Sequence, residues 1–120
     1  IGRLRIRLRK DRAPLGGFGL KMMQAIKSLG KDAYGARIEA WLADAGQEVD
    51  QGQVYVTGKR LEERGLVTTS TAPNKERGGA YKVKVYAITS NGEQAITDSV
   101  SAYDALRLFS QAQAKKKVKE

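Results

Sequence analysis

Apolar and polar positions recur with a helical period in four stretches of the chain and with a period of two in shorter ones. From Phe18 to Leu29 the residues Phe18, Met22, Ile26 and Leu29 share one face, with Lys21 and Lys27 outside, which predicts a first core helix stopped by Gly30. Asp32 is placed to cap a second helix from about Ala33 to Ala45, with Tyr34, Ile38, Trp41, Leu42 and Ala45 inside and Gly46 at its end. Trp41 on such a face reads as core and not as a ligand platform. In the third helix, Asp50 to Gly65, residues Val54, Gly58 and Leu61 stack on the buried side while Gln53, Val56, Lys59, Arg60 and Glu63 look outward. Asp50 and Gln53 have the spacing of a capping box, and Gly65 permits the left-handed turn that closes the helix.

Beyond Gly65 the period changes. Leu66 to Thr71 is rich in Val and Thr, Pro73 to Gly79 supplies turn chemistry, and Lys82 to Ile88 alternates Val83, Val85 and Ile88 with cations and Tyr86, so a β hairpin is expected. Its tip carries Lys75 and Arg77 against Glu76. Thr89 or Ser90 then caps a last helix to about Gln113, striped by Ile96, Val100, Tyr103, Leu106 and Phe109. That helix overshoots a three-helix core, and a second subunit is expected to cover its stripe. The fold class is therefore mainly α with a small β hairpin, in the helix, tight link, helix order of a helix-turn-helix.

The ends differ from the middle. Ile1 to Arg12 alternates Arg3, Arg5, Arg7 and Arg9 with Leu4, Ile6 and Leu8, a pattern open to a mobile arm, an added strand or a DNA-touching arm. Pro14, Gly16 and Gly17 mark its boundary, and the lack of an initiator methionine suggests a missing or altered start. The expected organisation is a basic arm over 1–14, a DNA-binding domain over 15–89, a dimerisation helix over 90–114 and a basic tail over 115–120. Of the net charge of +9, residues 1–20 and 114–120 carry +8, so basicity alone says little about the folded centre. The chain has no Cys and no His, which removes disulfides, thiolate nucleophiles, common zinc sites and imidazole catalysis. LGGFGLK lacks the strand and Lys-Ser/Thr ending of a phosphate loop, and no paired carboxylates appear, so neither an enzyme nor a cofactor is expected. No apolar run approaches the roughly 20 residues that cross a bilayer, and a cytoplasmic location is expected.

DAYGARI at 32–38, the run from Val49 to Val67 with GQVY and KRLEERGLV, ERGG at 76–79 and YAIT at 86–89 resemble the PadR-type transcriptional regulators, over about Leu15 to Phe109. The resemblance implies a winged helix-turn-helix, a dimer through the terminal helices, and a repressor on an inverted-repeat operator. It places the family's third-helix tyrosine on Tyr55, its cap on Asp50, its close-approach glycine on Gly52 and its wing glycines on Gly78 and Gly79. The dimer contacts expected on this basis are Phe18 and Met22 with Ile96, Val100, Tyr103, Leu106 and Phe109. Two departures stand out. Gly58 replaces the usual core leucine, and Trp41 or a methionine is expected to fill the space; the second wing strand has Val85, Tyr86 and Ala87 where paired aromatics and further cations are usual.

Insertion of the third helix into the major groove would bring Gln51 and Gln53 to base edges, with Gly52 allowing close approach. Tyr34, Tyr55, Lys59 and Arg60, with Lys75 and Arg77 on the wing, would reach phosphates. The expected partners are double-stranded DNA, a second copy of the chain and an unidentified small-molecule effector near the dimer interface. The alternatives are a winged-helix protein-interaction module and a nonspecific nucleic-acid binder acting through the basic arms.

Overall fold

A computed structural model of the chain describes residues 15–74 and 81–119, with side chains to residue 113. The arm, the hairpin tip with Lys75, Arg77, Gly78 and Gly79, and the side chains of the basic tail lie outside the described residues. Four helices and one hairpin follow in order: α1 (Gly17–Leu29), a 3-10 turn (Gly30–Asp32), α2 (Gly35–Asp44), α3 (Gln51–Glu63), β1 (Val67–Pro73), β2 (Lys82–Ile88) and α4 (Ser90–Lys119).

Helix α1 is central because it is apolar on more than one side. Met22, Met23, Ala25 and Ile26 are all buried, and the helix packs against α2, α3, β2 and α4. Full burial of side chains such as Met22, Ile26, Ile38 and Leu42 contributes about 1.5–3 kcal/mol each. Met22 has no exposed surface, so the expectation that it contacts a second subunit is overturned: the protomer's own core consumes it.

Asp32 does not cap the second helix. Ala33 and Tyr34 are instead drawn toward the hairpin: the Tyr86 amide donates to the Ala33 carbonyl at 2.8 Å and Tyr34 bridges Val85. Extended backbone at Tyr34 delays α2 until Gly35. Both α2 and α3 then end in the same way. Gly46 and Gly65 take positive φ (85° and 73°), and the next amides, Gln47 and Leu66, reach back to the Leu42 and Leu61 carbonyls. With Leu61 and Leu66 both buried, this turn aims the chain directly into β1.

The hairpin is antiparallel, with Val67 opposite Ile88 and Pro73 opposite Lys82. On β2 the inward residue is Tyr86, 3% exposed, whereas Val83 and Val85 are only half-buried. The alternation of Val83 and Val85 with cations and Tyr86 does not by itself say which face is inward. The Ala33–Tyr34 bridge occupies Val85 and turns Tyr86 toward α3.

Thr89 caps α4, donating its hydroxyl to the Gly65 carbonyl at 2.7 Å and accepting from the Gly92 amide at 3.0 Å. The helix continues past the expected stop at Gln113 to Lys119, through Ala and Lys residues that favour helix. Its first half is anchored at Leu15: the Leu15 amide donates to buried Ser99 Oγ and the Tyr103 hydroxyl donates to the Leu15 carbonyl, both at 2.9 Å. Ser99→Ala strands that buried amide, and the expected loss is about 1–3 kcal/mol of unfolding free energy in urea titrations; an unchanged midpoint would remove the anchor from the account.

Candidate nucleic-acid interface

The outward face of α3 is set by its cap. Asp50 Oδ1 accepts from the Gln53 amide at 2.8 Å, and Gln53 Oε1 accepts from the Asp50 amide at 3.2 Å. A Cβ at Gly52 would sit 3.1 Å from Asp50 Oδ1, so the glycine keeps this end slim and the cap undisturbed. Gln51, Gln53, Tyr55, Lys59 and Arg60 are all exposed. They lie on the part of the helix left outside by Val54, Gly58 and Leu61, which are buried, and share it with the exposed Val56.

The cap changes the roles of the two glutamines. Bidentate recognition of adenine needs both ends of an amide. Gln53 spends one acceptor position of its oxygen on the Asp50 amide, which turns that oxygen back toward the cap and leaves Nε2 as its outward donor. Among the described residues, the full amide at this tip is that of Gln51.

On the inner side, the space left by Gly58 is filled by Tyr86 and not by Trp41 or a methionine. A Cβ at Gly58 would lie 2.6–2.8 Å from Tyr86 Oη, Cε1 and Cζ. Trp41 is partly buried against the core. One turn farther on, Glu62 accepts from the Thr69 hydroxyl at 2.7 Å and faces Lys84 Nζ at 3.9 Å. Lys84 Nζ also lies 5.6 and 5.7 Å from the ring centres of Tyr55 and Tyr86. Lys84 was missed in the sequence, although its place two residues before Tyr86 on an alternating strand was a usable signal.

Tyr34 is 8% exposed, so most of it belongs to the core, and its hydroxyl accepts from Arg37 Nε at 3.3 Å. Tyr34 is thus mostly core where the α3 residues are exposed, and Arg37 stands on the first turn of α2. Between that turn, α3 and the hairpin lies an open groove of about 510 Å³, walled by Tyr34, Gln51, Tyr55, Tyr81 and Lys84.

The second candidate surface is the exposed apolar side of α4 from Val100 to Phe109. Val100, Tyr103, Leu106, Leu108 and Phe109 are 38–61% exposed, Ile96 is partly buried on the core, and Phe18 is half-buried. Leu108 lies off the anticipated stripe.

Burial of Tyr86, then the nearby Glu62 carboxylate and Tyr55, push its phenol above the usual tyrosine range. The folded state therefore holds the proton more tightly than the unfolded one. This contribution is intact below about pH 10 and is lost as pH rises from there through the folded value. In parallel alkaline denaturations Tyr86→Phe should lose less stability than the parent above about pH 10; equal slopes would refute the assignment.

A family model described as the transcriptional regulator PadR-like family matches residues 22–98. Among solved structures, the chain is similar to a PadR family transcriptional regulator from Eggerthella lenta DSM 2243, at 21% identity and a TM-score of 0.66, covering 94% of this chain and 90% of that one. It is also similar to a PadR-like transcription factor from Bacteroides fragilis, at 21% identity and a TM-score of 0.66, covering 92% and 97%. At these identities the structural likeness is one of fold. No curated protein matches.

Proposed function

Because the chain belongs to the PadR-like family of transcriptional regulators, and so is a regulator and not an enzyme, we propose that it is a dimeric repressor that reads an inverted-repeat operator with α3. The observation that carries this reading is the exposed polar face of α3, which has an amide-bearing tip, a cation-bearing end and the hairpin alongside. A 13-residue helix is about 20 Å long and fits the major groove end-on or along it.

In this reading Gln51 supplies the bidentate base contact and Gln53 a single donor, with Gly52 letting the backbone approach. Tyr55, Lys59 and Arg60 meet phosphates, the Tyr34 hydroxyl assists at the edge, and Lys75 and Arg77 act from the wing tip. Phosphate contacts set register and salt sensitivity, while the amides set sequence preference. The second copy docks along Val100, Tyr103, Leu106 and Phe109, with Ile96 and Phe18 at the margin. Support comes from an apolar half-helix that the protomer leaves in water. Two α3 tips carried on a two-fold axis would meet half-sites about 34–36 Å apart.

Gel shifts on the DNA upstream of the gene test the reading. Affinity should fall steeply with salt; Lys59→Ala should lower that slope by about one and Gln51→Ala should weaken the preference for operator over random DNA. Random duplex competing as well as promoter DNA would leave only a nonspecific binder. The docking face is tested by Leu106→Glu, which should convert the dimer to monomer in sedimentation at micromolar concentration with the helical signal retained.

A further inference from the structure

Two attachments hold α3 to the hairpin, and both lie on one helical face. At position 58 the Tyr86 ring touches the helix backbone so closely that the first carbon of any side chain would overlap it. Four residues on, Glu62 is tied to Thr69 and faces Lys84. The ring itself has little room to withdraw. Tyr86 is 3% exposed, its amide is bonded to Ala33, and its strand partner is Thr69. Two fixed points one turn apart limit both the rotation and the tilt of a helix, and these decide how residues flanking the attached face are presented. Gln51 lies two turns before Gly58, so a small tilt at the notch is magnified at the tip.

We propose that Tyr86 is a positioning residue for DNA reading: its ring, seated in the notch that Gly58 leaves in α3, sets the angle at which Gln51 and Tyr55 are presented beside the wing. Tyr86 itself touches no base in this account. The matched property is volume, because the notch accepts a six-membered ring and the ring needs a residue without a side chain opposite it. The inference rests on the DNA-reading function proposed above and adds a buried determinant, one that acts through the helix it holds.

The test uses the full chain with Gly58→Ala, Tyr86→Leu, the double variant and Tyr86→Phe. Each is titrated against a duplex that the parent selects from a randomised pool and against a scrambled duplex of equal length, with thermal midpoints in parallel. Gly58→Ala and Tyr86→Leu should each lower the selected-to-scrambled affinity ratio by about tenfold, with scrambled binding changed less than about twofold. The double variant should return to within about threefold of the parent, because the shorter side chain vacates the space the methyl needs. Tyr86→Phe, which keeps the ring, should hold the parental ratio. Single variants at the parental ratio, or a double variant as poor as the two losses multiplied, would overturn the proposal. If Gly58→Ala does not fold, Tyr86→Leu against Tyr86→Phe decides: a drop in the former alone supports positioning, and equal ratios refute it. A parent that selects no duplex sinks the DNA-reading function, and the positioning role falls with it; non-additive thermal midpoints would then mark the pair as packing only.

Discussion

A tyrosine ring resting on a helix backbone requires a glycine beneath it, and the contact between Tyr86 and Gly58 organises much of this domain. Glycine within a helix costs about 1 kcal/mol relative to alanine, so its presence in α3 calls for a return elsewhere. The return is burial of most of an aromatic ring at the junction of helix and hairpin, where a leucine on α3 would have left the strand no room. Tyr86 can take this place because Ala33 and Tyr34 bind the other edge of β2 and fix its facing. The late start of α2 is part of the same arrangement.

The chain reversals carry that constraint outward. The closing turn of α3 exposes the Gly65 carbonyl and directs Leu66 inward; Thr89 then bonds both Gly65 and Leu66, through its hydroxyl and its amide. The end of α3, the entry to β1 and the start of α4 are thereby joined within a few residues. Gly92 sits at this crossing because a side chain there would meet the Leu66 carbonyl, Ile88 and Met23. Helix α4 thus leaves the domain from a rigid root. Its near half is sealed by Ser99 and Tyr103 against Leu15, and its far half projects apolar residues into solvent.

Charge plays a smaller part than the net +9 suggests, since most of it lies at the two ends. In the folded centre the relevant cations are few and placed: Lys59 and Arg60 on α3, Arg37 on α2 and Lys84 on β2. Lys84 is partly offset by Glu62, a pairing that at this exposure contributes no more than about 1 kcal/mol and leaves the ammonium near both tyrosine rings. The uncharged amides of the same surface are divided by the cap, which engages Gln53 and leaves Gln51 outside it.

The sequence by itself determined the elements, because periodicity and end signals are local. Helix α3 with its capping box, the glycine stops after α2 and α3 and the bond from the Gly92 amide to Thr89 depend on residues within about five positions of one another, and the hairpin on two alternating runs joined by one turn segment. The outward set on α3 was legible for the same reason: one buried face defines the other. Tertiary structure alone decided which side chain fills the notch at Gly58, that Met22 is spent inside the protomer, that Tyr34 is mostly core, and that Lys84 joins the site. Each of those depends on residues far apart in the chain being brought together. A period of two tells which residues share a face of a strand, but not which face meets the helix; here a single bridge at Tyr34 and Val85 made that choice.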